Sequence, residues 1–345
     1  MNNKLLALGA LSTVAALALA GCATSGGTTT PAGDTTDGAI EHQGPIIIAE
    51  PLHNLGYLPL YDAIDQGYFK DAGLDVQMST LGGGAHVNAV LSGDAWGFIG
   101  GLESAAIANA KGADMVGIAG VVDRANVYWT AGKNVTIDPD DLAGSLTGLR
   151  IAASRHAGSP EIDTLYELKQ LGLDPTKDVT IINNDSGTDI AMVQSGQADI
   201  AVTSEPNISK GISAGLWGEP IMSLPKELGK FAYSDIVVPR DAIAKEPNTI
   251  QAFVDALNKG MNDVLQDRDL ATQIAKKEFP TMSDDDIKAT LDRGYDDGLW
   301  DGIAIDADAV TIDLTVARDA GLLLDSAKPA TFESIVDPTF FQNTK

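Results

Sequence analysis

Hydrophobic and polar positions along this chain fall into short blocks whose period keeps changing. Ile46 to Glu50 (IIIAE) is an apolar, β-branched run suited to a buried strand. GYLPLYDAIDQGYF follows, with Leu60, Ala63, Ile64 and Phe69 near one helical face. The exchange then repeats: LDVQMST reads as strand, GGGAHVNAVLSG as glycines opening a helix, WGFIGG as strand, AAIANAKG as helix and MVGIAGVV as strand. A second series has a strand at Leu149 to Ala153 and a helix in SPEIDTLYELKQLGL, with Ser159 as its expected cap and Pro160 at its first position. DVTIIN (strand), GTDIAMVQSG (helix), ADIAVTS (strand) and EPNISKGISAGL (helix) complete it. This alternation predicts an α/β fold of mainly parallel sheets flanked by helices.

One phrase occurs twice. LSGDAWGFIGGLES (Leu91 to Ser104) and QSGQADIAVTSEP (Gln194 to Pro206) both end a helix at Ser-Gly, enter an apolar strand and deliver a small-residue loop holding a glutamate. Gly93 and Gly196 are expected as helix stops. Two units on one plan, each presenting loops at the C-terminal edge of its sheet, predict a cleft between them.

Past Tyr233–Pro239, expected as a strand, the chain reads as helical. EPNTIQAFVDALNKGMNDVLQD carries an apolar stripe of Ile250, Phe253, Leu257 and Met261. MSDDDIKATLDRGYDDGLW starts at a Ser283 cap, and its acids suit the first turn of a helix better than a metal loop. DADAVTIDLTVARDAGLL is a third helix, ending at Gly321. No metal and no cofactor is expected.

The N-terminus changes the picture. Lys4 precedes an apolar run from Leu5 to Leu19, the length of a signal peptide and short for a membrane span. LAGC then places Cys22, the single cysteine, where a bacterial lipobox has its lipidated residue. Residues 1–21 are read as signal peptide and 22–44, rich in Thr, Gly and Ser, as a flexible tether. Acids outnumber bases 48 to 23, which argues against a nucleic-acid partner.

The order of LPLYDAIDQGYFKDAGLDVQM, GGG, LSGDAWGFIGGLES, DLAGSLTGLRIAAS, LGLDPTKDVTII and SGQADIAVTSEP resembles the solute-binding proteins of ABC importers. The branch is the nitrate, sulfonate and taurine group, related to NMT1/THI5-like proteins. The resemblance runs from about Ile46 to Leu324. It implies a two-lobed periplasmic-binding-protein fold of type II with a two-stranded hinge. One lobe would be 45–130 plus 236–345, the other 131–235. It also implies a small-molecule ligand, permease and ATPase partners, a lipid anchor on the extracytoplasmic face, a monomer, and no enzymatic activity. Where the family has an acid at both strand starts, as at Asp199, the first unit has Trp96, which either packs or walls the cleft.

Several loops are candidate ligand contacts. LGGGAH (Gly83, Gly84), SRHAGSP (Arg155, His156, Ser159) and DSGTD (Asp185) enter helices with exposed amides suited to an anion. Arg124 and Asn126 lie at a strand end. The two glutamate loops add Gly101, Glu103 and Glu205, and EPLHN adds Glu50, His53 and Asn54. Those acids would suit an amine or a zwitterion. Tyr57, Trp96, Trp129 and Tyr233 could instead sandwich a ring, so a thiamine-pyrimidine or other vitamin-precursor heterocycle stays open. A pyrimidine-synthase-like enzyme is a remote reading, because that branch uses a cysteine-rich segment. A serine hydrolase is disfavoured by the lack of a G-x-S-x-G elbow.

Overall fold

Ten strands form among the described residues: β1 (Pro45–Glu50), β2 (Asp75–Thr80), β3 (Gly97–Gly100), β4 (Met115–Arg124), β5 (Tyr128–Ala131), β6 (Arg150–Ala152), β7 (Thr180–Ile182), β8 (Ile200–Thr203), β9 (Met222–Ser223) and β10 (Lys230–Pro239). They build two sheets, ordered β2-β1-β3-β10-β4 and β7-β6-β8-β5-β9. The computed structural model describes residues 38–82, 84–185, 187–324 and 329–344. Cys22, the expected signal peptide and most of the expected tether lie outside them.

The sheets share one plan. In the first, β2, β1 and β3 run parallel and β10 is antiparallel to its neighbours β3 and β4. In the second, β7, β6 and β8 run parallel and β5 is antiparallel to β8 and β9. The repeated phrases supply β3 and β8, the corresponding third parallel strands. Gly93 caps the Ala85–Ser92 helix at φ +81°, and Gly196 follows the Asp189–Gln194 helix at φ +70°. Both conformations favour a residue without Cβ.

The chain leaves the first sheet after Arg124 and enters the second at Tyr128; it leaves β9 at Ser223 and re-enters the first sheet at Lys230. Both crossings, between residues 124 and 128 and between residues 223 and 230, lie before the boundaries at 131 and 236 drawn from the resemblance.

The C-terminal helices cover the first sheet. The Pro247–Gln266 helix buries Ile250, Phe253, Leu257 and Met261 as its periodicity requires. Gly260 lets it approach the Leu58–Asp65 helix, since a Cβ there would lie 2.2 Å from the Pro59 carbonyl oxygen. Ser283 caps the Asp284–Asp296 helix by accepting from Asp286 N–H at 3.1 Å.

The described chain makes contacts before Pro45, where the sequence suggests only tether. Glu41 accepts from the Asn248 and Thr249 amides at 3.2 and 2.9 Å, capping the Pro247–Gln266 helix from a distant part of the sequence. Trp96 packs: its ring lies 5.2 Å from that of Phe253 and its Nε1–H donates to Glu246 at 2.8 Å.

Candidate functional site

Parallel strands end where their backbone must turn, so the residues just beyond their C-terminal ends are free to face a ligand. Four such ends converge here. Asn54 and Tyr57 follow β1; Gly101 and Ser104 follow β3; Ser154, Arg155 and Ser159 follow β6; Ser204 and Asn207 follow β8. All line one cavity of about 60 Å³, together with His86, Asn126, Asp189 and Tyr233.

Arg155 is the cation of this cavity. Its loop is strained: Ser154 and Ala157, on either side, hold φ of +66° and +54°, a region L-residues with a side chain rarely occupy. Buried Glu161 holds the loop in place. It accepts from the Ala157 amide at 2.6 Å and from Asn183 Nδ2 at 2.7 Å, and it pairs with His156 at 2.9 Å. Asn183 also donates to the Ser154 carbonyl at 3.2 Å. The loop so built presents Arg155 toward the first sheet, where a Cβ on Gly84 would lie 3.5 Å from Nη1.

The guanidinium hydrogen-bonds only backbone carbonyls among the described residues, those of Ala157 at 3.2 Å and His156 at 3.4 Å. Burial lowers its pKa, while the charges of Glu103 and Glu161 act in the opposite direction. His86 adds no second charge. Burial, then the field of Arg155, pushes its pKa down to about 3, so the ring is neutral at physiological pH.

Glu103 lies behind the cavity wall. Its carboxylate folds back over Gly101, where a Cβ would lie 1.8 Å from Oε2, so a side chain there would displace the carboxylate. Oε1 accepts from Ser159 Oγ at 2.6 Å, a bond joining the first-sheet loop to the second. Ser159 is thus a bridging donor: the helix Ser159–Gln170 has Gly158 as its cap residue, and Ser159 is not the cap expected from sequence. Asp163, Asp235 and Asp313 are buried close by, and burial raises the pKa of all three and of Glu103.

Other expected contacts lie elsewhere. Glu205 faces away from the cavity. It accepts from Ser209 N and Oγ at 3.0 and 2.9 Å and from Arg293 Nε at 2.8 Å. His53 lies between Glu50 at 3.2 Å and Glu278 at 3.5 Å and stacks on Phe279; the Glu50 bond leads the effects that raise its pKa. Glu50 is spent on Tyr61 and Thr80 hydroxyls at 2.6 and 2.7 Å. Arg124 lies by Gly229 and Gly298, His156 is exposed, and Asp185 is exposed at the edge of its loop. Gly83 lies outside the described residues. Of the aromatic candidates, Tyr57 and Tyr233 line the cavity, whereas Trp129 is fully buried in β5.

Nothing in the sequence singled out Ser104, Asp189, Asn207 or Glu161 as contacts. His86 had one signal, its place two residues after the last glycine of LGGGAH.

Comparison with known proteins agrees with this geometry. "Putative binding protein YtlA" of Bacillus subtilis (strain 168) is 28% identical over 253 residues, 71% of this chain and 74% of that protein. The ligand-binding component of an ABC-type import system from Staphylococcus aureus, solved with zinc bound, superposes with a TM-score of 0.72 at 14% identity, over 88% of this chain and 99% of that one. The alkanesulfonate-binding protein SsuA from Xanthomonas axonopodis pv. citri, bound to MOPS, superposes with a TM-score of 0.69 at 16% identity, over 85% and 98%. These establish the periplasmic-binding-protein fold. Among the described residues no group of three or more His, Cys, Asp or Glu could hold a metal ion. The model of the NMT1/THI5-like family matches residues 54–271, and the chain belongs to that family.

Proposed function

We propose that this protein captures a small anionic solute between its two sheets and delivers it to an ABC import system. The observation that carries the reading is Arg155: a guanidinium at a cavity wall, held by a strained loop, whose hydrogen bonds among the described residues go only to carbonyls. A desolvated cation of this kind favours an anionic partner, and guanidinium–oxyanion hydrogen bonds are among the stronger ones. The relatives support the importer setting, since one is described as a component of such a system and another as a sulfonate-binding protein.

The sheets act as two lobes hinged at the two crossings, between residues 124 and 128 and between residues 223 and 230. They close when Ser159 meets Glu103. Cys22 anchors the body outside the cytoplasmic membrane, with permease and ATPase as partners, and no catalytic step is required. A heterocycle fits less well, because a neutral ring leaves the Arg155 guanidinium without an oxyanion partner.

A thermal-shift screen tests the class of ligand. Nitrate, sulfonates or other small anions should raise the melting temperature, because a ligand of the native state stabilises by about 2.7 kcal/mol at a hundred times its Kd. Shifts with pyrimidines or amines alone would reject the anion reading.

A further inference from the structure

Two asparagines set what the ligand must carry besides its charge. Asn54 Oδ1 accepts from the Gly56 amide at 2.6 Å, a group that can only donate. Its Nδ2 donates to the Glu205 carbonyl at 3.0 Å, a group that can only accept, and to Ser204 Oγ at 2.8 Å. The Asn54 amide therefore has one permitted orientation.

That orientation fixes Asn126 in turn. The atom of Asn126 that approaches Asn54 Oδ1, at 3.4 Å, must be its Nδ2, since two carbonyl-type oxygens would repel. Asn126 Oδ1 is left as the acceptor. It is buried and has no partner among the described residues, on a cavity-lining side chain only 2% exposed. A buried acceptor without a donor is costly and rare in a native protein.

Resting on the anion reading above, we infer that the ligand itself supplies this donor: it is a small anion whose other end carries an O–H or N–H that binds Asn126 Oδ1. Arg155 takes the charged end. Asn126, in the segment crossing between the sheets, takes the donor end and so reads ligand identity at the hinge. A bare anion, or an unsubstituted alkanesulfonate, leaves Asn126 Oδ1 unmet and is discriminated against.

Titration calorimetry on the full folded body with two matched pairs tests this: 2-hydroxyethanesulfonate against ethanesulfonate, and 3-hydroxypropanesulfonate against propanesulfonate. The wild type should bind at least one hydroxylated member about tenfold or more tighter than its partner. In Asn126→Leu the gap should shrink to within about twofold, with the unsubstituted sulfonate bound at least as well as before. If both pairs bind equally to the wild type, this inference is overturned and the anion reading survives. If no sulfonate or other anion binds, both fall. A gap that persists undiminished in Asn126→Leu also overturns the assignment to Asn126. Should the leucine variant fail to fold, the wild-type pairs decide alone.

Discussion

Glu103 and Glu205 occupy matching places in the two repeated phrases, each just past the end of a third parallel strand, yet their surroundings differ in kind. Glu205 is 2% exposed and fully engaged, by a helix amide, two hydroxyls and Arg293. Glu103 is 1% exposed, takes the Ser159 and Ser104 hydroxyls on one oxygen, and leaves Oε2 without a partner among the described residues. Its neighbours include three further buried acids. Glu205 is therefore built into an ion pair with Arg293, whereas burial favours a proton on Glu103. A shared sequence pattern fixed where each loop leaves its sheet; the partners, remote in sequence, fixed the chemistry.

The contrast predicts unequal losses. Glu205→Ala strips the Ser209 amide of its acceptor and leaves Arg293 with Glu219 alone, 2.9 Å away, so the loss should lie near the lower end of the range of about 3–5 kcal/mol for breaking a largely buried pair. Chemical denaturation should show that loss with little change in m-value. A loss below about 1 kcal/mol would mean that Glu219 alone satisfies Arg293.

Glu103→Gln should be far milder, within about 1 kcal/mol at acidic pH, because the amide can still accept from Ser159. The sign of its pH dependence follows from the raised pKa. In the wild type the proton on Glu103 contributes stability that is fully present below about pH 4, the unfolded value. That stability is lost as pH rises through the folded value. Melting curves of the wild type should fall relative to Glu103→Gln as pH increases; parallel curves would show that folding leaves the Glu103 pKa unchanged.

The glycines that begin each phrase should behave alike where the glutamates do not. Gly93→Ala and Gly196→Ala each place a Cβ in a left-handed conformation, at a cost of about 1 kcal/mol. No atom lies within 4 Å of either Cβ position, so affinity should hardly change. Unequal effects on melting would show that the two helix ends are not equivalent.

These particulars mark how far the sequence could be read. The strand–helix alternation, the stops at Gly93 and Gly196 and the Ser283 cap were legible, because each depends on neighbours in the chain. Asn54, Gly101, Asn126, Arg155, Ser159 and Tyr233 were legible as cavity residues, because strand ends and crossings are where ligands sit. Arg124 and Arg155 looked alike in sequence, both basic residues near strand ends. Only the fold shows that the Ser154–Ala157 backbone aims one of them inward. The Glu205–Arg293 pair spans 88 residues, and no local pattern announces it. His86 reads from sequence as an ordinary helical residue, since its loss of charge comes from burial and from an arginine in the other sheet.

The direct test of the central claim is titration of the best-binding anion into the wild type and Arg155→Met. Loss of a desolvated charge partner should weaken binding at least about thirtyfold while the melting temperature without ligand changes little. Unchanged affinity in Arg155→Met would contradict the account, because no other cation lines the cavity among the described residues.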